Sequence, residues 1–176
     1  MRKKILWITE TAVMLALLVV LQAVTKPLGQ QLLTGSCVNL VLAITVLVSG
    51  IYSGVTVALI SPVMAWYLDI APMPFAVPVI MLGNLIFVAA LWALERRGSI
   101  LSRILAWLMG SAAKFALMFC LNTWLICGVL ATSLALKPPQ ITALTTMFSW
   151  TQLFTALIGG GLALLILPTL RKALRR

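Results

Sequence analysis

The sequence has little of the chemistry that most enzymes use. It contains no histidine, and its only acidic residues are Glu10, Asp69 and Glu95. The usual catalytic triads and paired-carboxylate arrangements are therefore missing. No glycine-rich phosphate loop of the Walker type occurs, so the chain is not expected to hydrolyse ATP by itself. We expect a protein that is not an enzyme.

Metal-ligating residues are equally scarce. The three cysteines, Cys37, Cys120 and Cys127, do not show the spacing of a metal site. Without histidine they do not form a zinc or haem site, and small packing residues are the simpler interpretation. The sequence predicts no metal and no cofactor.

Charged residues are also few. They make up 9% of the 176 residues, whereas 62% are hydrophobic and the mean hydropathy is +1.14. A soluble domain has about 25% charged residues, which it needs to cover its surface. The composition therefore indicates an integral membrane protein in contact with the lipid bilayer.

The net charge of +10 raises the question of nucleic acid, but the positions of the basic residues argue against it. Ten of the thirteen lie in three clusters at the ends of apolar segments: Arg2, Lys3 and Lys4; Arg96, Arg97 and Arg103; Arg171, Lys172, Arg175 and Arg176. Such clusters are typical of cytoplasmic loops that face anionic lipid headgroups. No nucleic-acid partner is expected.

The apolar segments predict a single all-α domain with six transmembrane helices. A span needs about 20 apolar residues. The predicted spans are roughly 5–25, 36–49, 51–69, 76–95, 101–131 and 142–168. An even number of spans places both termini on one side, and the basic clusters predict that this side is cytoplasmic. The second span is the shortest of the six.

Polar side chains inside predicted spans are costly in hydrocarbon, so they mark candidate binding residues. Counting helical rise from the span ends, Asn84 lies about 12 Å below the outer surface and Lys114 about 20 Å from the cytoplasmic one. Trp150 and Gln152 lie about 12–15 Å deep by the same count. Three helices thus place a cation, two amides and an indole at one level. Further polar and aromatic residues are predicted nearer the outer rim, where they can roof the same space: Asn39, Trp66, Tyr67 and Asn122.

These residues predict a site for a small anionic, ring-containing solute. Lys114 is expected to supply the counter-charge, Asn84 and Gln152 to fix orientation, and Trp150 to stack on a ring. The structural alternative is that Lys114 snorkels or pairs with a carbonyl or with Asp69, the one acid within its predicted reach. Both interpretations of Lys114 stay open at this level.

Two patterns of small residues predict close helix packing. Ala12 and Ala16 form an A-x-x-x-A step on the first span, and Gly159, Gly160 and Gly161 form a glycine run in the last. Either pattern allows another helix to approach closely, and packing within the bundle is the simplest role for each.

The order and spacing of several segments resemble the substrate-binding S components of energy-coupling factor (ECF) vitamin transporters. The resemblance covers nearly the whole chain and is carried by "TAVMLALLVVLQ", "SGIYSGVTVALISPVMAWYLDI", "PVIMLGNLIFV" and "FSWTQLFTALIGGGLALLI". It implies a multi-pass subunit of the bacterial plasma membrane that captures a vitamin-like nutrient from outside. It also implies a transmembrane coupling subunit and two cytoplasmic ATPases as partners, with Ala12 and Ala16 at the contact with the coupling subunit. The sequence does not match the signatures of the riboflavin, thiamine or biotin members, so the nutrient stays open.

Two other functions compete with this one. A structural or assembly protein of the cell envelope would have no small-molecule ligand and no ATPase partner. An intramembrane enzyme acting on lipid is disfavoured by the missing histidines and the scarcity of acids.

Overall fold

The chain was analysed as a computed structural model that describes residues 2–71, 73–95 and 99–173, with the side chains of residues 2–4 and 94 left out. Within these ranges the protein consists of helices and turns. The predicted basic clusters fall partly outside the description, namely the side chains of Arg2, Lys3 and Lys4 and all of Arg96, Arg97, Arg175 and Arg176.

In the described part of the chain, seven α-helices make up the bundle. They are α1 (Arg2–Thr25), α2 (Gln31–Ser49), α3 (Ile51–Tyr67), α4 (Ala76–Glu95), α5 (Ile100–Cys120), α6 (Pro138–Met147) and α7 (Trp150–Ala173). A 3-10 turn (Lys26–Leu28) follows α1, and α5 continues as a π-helix (Leu121–Val129). The prediction of an all-α membrane bundle is confirmed: among the described residues, five helical segments are long and apolar enough to cross a membrane.

The helix bounds correct three of the predicted spans. α2 begins at Gln31, five residues before the predicted start at 36, so it is not the shortest span. That place belongs to α3, which has 17 residues and ends before the predicted bound at 69. The predicted sixth span, 142–168, is interrupted at Phe148 and Ser149, where α6 ends and α7 begins.

α2 lies at the centre of the bundle and contacts α1, α3, α4 and α7. Its middle is apolar on every side because neighbouring helices surround it, and Val41, Leu42 and Ala43 are fully or almost fully buried. Phe87 of α4 and Ala156 of α7 belong to the same core. A second apolar cluster, which includes Met118, Leu144 and Phe148, lies where α6 packs against the π-helical extension of α5.

Glycine lets α2 and α7 approach closely. A Cβ atom built on Gly159 would collide with the backbone of α2, at Ser36 O and at Leu40 N. Gly160 is similarly covered by the indole of Trp107, which donates a hydrogen bond of 3.0 Å to Leu157 O. The prediction that the glycine run forms a packing surface is confirmed, and the helices it receives are α2 and α5 of the same bundle.

Charged side chains tie the helix ends together at one end of the bundle. Glu95, the last residue of α4, accepts from Arg103 Nε at 2.8 Å and from Arg171 Nη2 at 2.6 Å. Arg171 also donates to Leu47 O, a carbonyl in the last turn of α2 that has no helical partner. The start of α1 lies at this end too, because Thr11 hydrogen-bonds Ser53 near the start of α3. Both described termini are therefore at the same end, as the sequence predicts.

Candidate binding cavity

A cavity of about 450 Å³ opens at the other end of the bundle. Its rim includes Lys26 and Asp69, which form an ion pair of 3.7 Å across the mouth. Its wall mixes apolar side chains such as Val38 and Ile80 with many polar ones. The polar residues of the wall are Gln22, Gln30, Gln31, Thr34, Asn39, Ser61, Asn84, Lys114 and Gln152.

Lys114 lies on the cavity wall and is almost completely buried, with 2% of its surface exposed. Its amine donates to Asn39 Oδ1 at 2.6 Å and to Asn84 Oδ1 at 2.8 Å, and it lies 5.7 Å from the centre of the Phe87 ring. An ammonium has three N–H donors. The third has no protein acceptor in the part of the chain that the structure describes, and no described carboxylate lies at ion-pair distance.

Asn39 is held in place by further hydrogen bonds of its amide group. Asn39 donates from Nδ2 to Gly35 O at 2.9 Å and to Thr155 Oγ1 at 3.2 Å, so α2 and α7 hold its amide together. The close approach at Gly159 brings Asn39 and Thr155 within reach of each other. With their oxygens turned to the amine, the amides of Asn39 and Asn84 both act as neutral ligands of the ammonium group.

The break between α6 and α7 supplies another polar group of the wall. A helix end leaves carbonyl groups without helical partners. One of them, Met147 O, accepts from Gln31 Nε2 at 2.9 Å and from Gln152 Nε2 at 3.0 Å. All three residues line the cavity, so the interruption of the helix shapes its wall.

The structure brings together four of the predicted site residues. Lys114, Asn84, Asn39 and Gln152 all line the cavity. Asn39 was expected near the outer rim, but it lies at the level of Lys114 because α2 starts five residues earlier than predicted. Asp69 does not reach Lys114; it pairs with Lys26 at the mouth.

The other four do not line the cavity. Trp150 is the first residue of α7, is 64% exposed and stacks on Phe115 with ring centres 5.1 Å apart. Trp66 and Tyr67 pack on each other at the exposed end of α3. Asn122 is buried in the π-helix, where its Oδ1 accepts a weak hydrogen bond from Cys127 Sγ at 3.9 Å.

The predicted partner surface is open. Ala12 and Ala16 are both exposed on α1. Packing inside the bundle was the simplest role predicted for this pattern, but neither alanine packs there.

Sequence reasoning missed two polar members of the wall and one residue that supports the wall from behind. Gln22 and Ser61 are buried polar residues that face the cavity, and Thr155 supports Asn39. Gln22 lies three residues before the end of the first predicted span and Ser61 precedes a proline, so each resembles an ordinary polar residue near a helix end or kink. The usable signal was that Gln22, Ser61 and Thr155 interrupt otherwise apolar spans.

Comparisons with protein-family models, with curated proteins and with solved structures gave no match to this chain. Fold and cavity define its class as an all-α bundle whose helices are suited to crossing a membrane several times. A cavity with a mixed polar and apolar wall lies at the end opposite the described termini.

Proposed function

We propose that this protein is the substrate-capturing membrane subunit of an ECF-type importer and binds a small anionic nutrient in the cavity. The observation that carries the proposal is the buried Lys114 amine on the cavity wall, solvated by two neutral amide oxygens instead of a carboxylate. A structural membrane protein has no need for such an arrangement, because a charge buried in this way reduces stability unless something compensates it.

An anionic ligand would supply the missing charge. Two amide oxygens stabilise the ammonium group but leave a net positive charge within the bundle. Attraction between opposite charges is stronger in such a low-dielectric site than in water. The cavity volume of about 450 Å³ falls in the range typical of small-molecule sites, about 300–1,000 Å³.

The structure supports the negative charge of the ligand better than it supports the ring that the sequence predicts for it. The predicted stacking residue, Trp150, packs on Phe115 instead, and the described residues of the cavity wall include no aromatic side chain. We therefore base the ligand class on charge and hydrogen bonding.

The energy source and partners rest on the family resemblance. In the proposed assembly a transmembrane coupling subunit docks on α1 at Ala12 and Ala16, and two cytoplasmic ATPases supply ATP hydrolysis. The exposure of both alanines leaves this face open for such a partner. The proposed location is the plasma membrane of a bacterium, with the cavity facing outward and the basic helix ends facing the cytoplasm.

Native mass spectrometry of the gently purified protein tests the binding function. We expect a small metabolite that remains bound to the wild-type chain and is lost or strongly reduced in Lys114→Met. Ser111→Ala is the matched control, since Ser111 is buried on the same helix but does not line the cavity. A wild-type protein that is always empty, or a metabolite that Lys114→Met retains in full, would contradict the proposal.

A further inference from the structure

The cavity wall carries three side-chain atoms that have no hydrogen-bond partner among the described residues. They are Asn84 Nδ2, Ser61 Oγ and Gln22 Oε1. Their residues are 1%, 1% and 3% exposed, so all three are buried, and all three line the cavity. Buried polar groups in native proteins are almost always paired, by protein, water or ligand. Two other buried atoms without a partner, Ser49 Oγ and Ser111 Oγ, do not line the cavity. It is therefore the shared position of the three atoms on one wall that indicates that what fills the cavity pairs them.

These atoms and Lys114 follow the cavity wall from helix to helix. Lys114 lies on α5, Asn84 on α4, Ser61 on α3 and Gln22 on α1. Each helix in this order contacts the next one. Lys114 and Gln22 therefore mark the two ends of the series, with Asn84 next to the lysine.

The Lys114 end of the series offers donors. Because Asn84 Oδ1 accepts from the ammonium group, the amide orientation is fixed and its NH₂ group is the part left without a partner. The third N–H of Lys114 is also unused within the described part of the chain. A carboxylate has two acceptor oxygens and suits a pair of donors of which one is charged.

The Gln22 end requires the opposite. An amide oxygen only accepts, so Gln22 Oε1 needs an N–H or O–H group. The Ser61 hydroxyl lies between the two ends. Because it can both donate and accept a hydrogen bond, it does not favour either a donor or an acceptor group on the ligand.

We propose that the substrate is a small organic acid that also carries an N–H or O–H group. Its carboxylate binds Lys114 and Asn84, its donor binds Gln22, and Ser61 contacts the part between them. This inference rests on the proposed function and narrows the ligand class at the same cavity.

A set of matched probes tests both ends of the site. Small carboxylic acids bearing a hydroxyl or amide N–H group are screened against the purified full-length chain by calorimetry. Each acid is compared with its neutral carboxamide and with an analogue in which hydrogen or methylene replaces the donor group. The proteins are the wild type, Lys114→Met, Gln22→Met and the control Ser111→Ala, each first checked for a monodisperse, cooperatively unfolding preparation.

For acids that bind, we expect the carboxamide to bind about 100-fold more weakly and the analogue without a donor about 10-fold more weakly. Lys114→Met should abolish the preference for acid over carboxamide. Gln22→Met should abolish the preference for the donor while keeping the preference for the acid. Ser111→Ala should behave as the wild type does.

The outcomes separate this inference from the proposed function. If probes bind but the carboxamide or the analogue without a donor binds equally well, the inference is wrong and the binding function stands. The same holds if Gln22→Met leaves the donor preference intact. If no probe binds and no metabolite co-purifies, the binding function itself fails, and this inference fails with it.

Discussion

At the scale of single residues, Lys114 shows how a cation is kept inside an apolar bundle. Asn39 and Asn84 replace part of its hydration shell without neutralising its charge. Carboxylate partners would cancel the charge and leave less for a ligand to gain. The amide partners, in place of acids, therefore support the proposed binding role of Lys114.

Removing one of the two amides should destabilise the bundle. Asn39→Leu leaves the ammonium group with a single protein acceptor and deletes the hydrogen bond to Thr155. We expect the free energy of unfolding to fall by about 3 kcal/mol, since the loss exposes a buried charge to an apolar side chain. Unfolding in detergent micelles, followed by circular dichroism, measures this change.

A double-mutant cycle gives the control. Once Lys114→Met has removed the charge, Asn39→Leu should cost less than in the wild type, by about 1–2 kcal/mol, because the two residues interact directly. Strictly additive effects would mean that the Lys114–Asn39 hydrogen bond contributes nothing to stability.

The same residues show which depth estimates from sequence succeed. Lys114 and Asn84 were predicted to meet because the starts of α4 and α5 were predicted within one residue of the observed Ala76 and Ile100. Asn39 was placed too near the rim and Trp150 too deep, because the starts of α2 and α7 were predicted incorrectly. A depth estimate counted along a helix is wrong by about 1.5 Å for each residue by which the predicted helix start is wrong.

At the scale of helices, the contact between α2 and α7 positions the lysine's ligands. Gly35 and Gly159 remove side chains from both faces, and Asn39 then reaches Thr155 across the contact. Small residues permit this approach, in the way that small-xxx-small patterns do between membrane helices. Packing at this contact and binding in the cavity should therefore change together.

Gly159→Ala tests that link. A Cβ at this position would lie 2.7 Å from Leu40 N and 2.8 Å from Asn39 Cβ, so α2 or α7 must move. We expect a loss of about 2 kcal/mol in the free energy of unfolding, typical of an overpacked contact, together with weaker ligand binding. Thermal unfolding and native mass spectrometry report the two effects.

Gly161→Ala is the matched control on the same helix. Its Cβ would meet only the Trp107 side chain, at 3.1 Å, and a ring edge moves more easily than a helix backbone. A loss of about 1 kcal/mol or less is expected there, with binding retained. Equal effects of the two substitutions would contradict a special role for the α2–α7 contact.

The interruption between α6 and α7 is the element-scale feature that sequence did not predict. Residues 142–168 contain neither proline nor glycine near the break at Phe148 and Ser149. Polar residues do surround it, but they were interpreted as part of a continuous span. The freed Met147 O accepts one hydrogen bond from the nearby Gln152 and another from Gln31 of α2, far away in the sequence. The contact with Gln31 leaves no local signal in the sequence, whereas Ser149 followed by Gln152 is a pattern typical of a helix start.

At the scale of the whole molecule, the two ends of the bundle carry different charge chemistry. Arg103 and Arg171 share Glu95 at the end that holds the termini, whereas the opposite end holds the cavity and a Lys26–Asp69 pair at its mouth. Between them lies a belt of exposed apolar side chains, as expected for a surface in contact with lipid. Charge asymmetry along the sequence predicted this arrangement well, because it depends on the identity of the residues and not on their packing.

The face of α1 that carries Ala12 and Ala16 is where a partner subunit is proposed to bind. Both residues are small and exposed, so bulk added there meets no part of the bundle itself. Ala12→Trp with Ala16→Trp should leave the isolated protein folded and able to bind its ligand. It should abolish co-purification with the coupling subunit and the ATPases when all are produced together, because a close helix contact has no room for two indoles.

Val13→Trp with Leu17→Trp is the matched control for this experiment. These residues are also exposed, have the same spacing and lie at nearly the same level, but they are rotated by about 100° around the helix. We expect this variant to assemble normally, because its indoles point toward lipid. If both variants assembled, or if both failed, the Ala12–Ala16 face would not be a specific docking surface, and the partner would have to bind another part of the bundle.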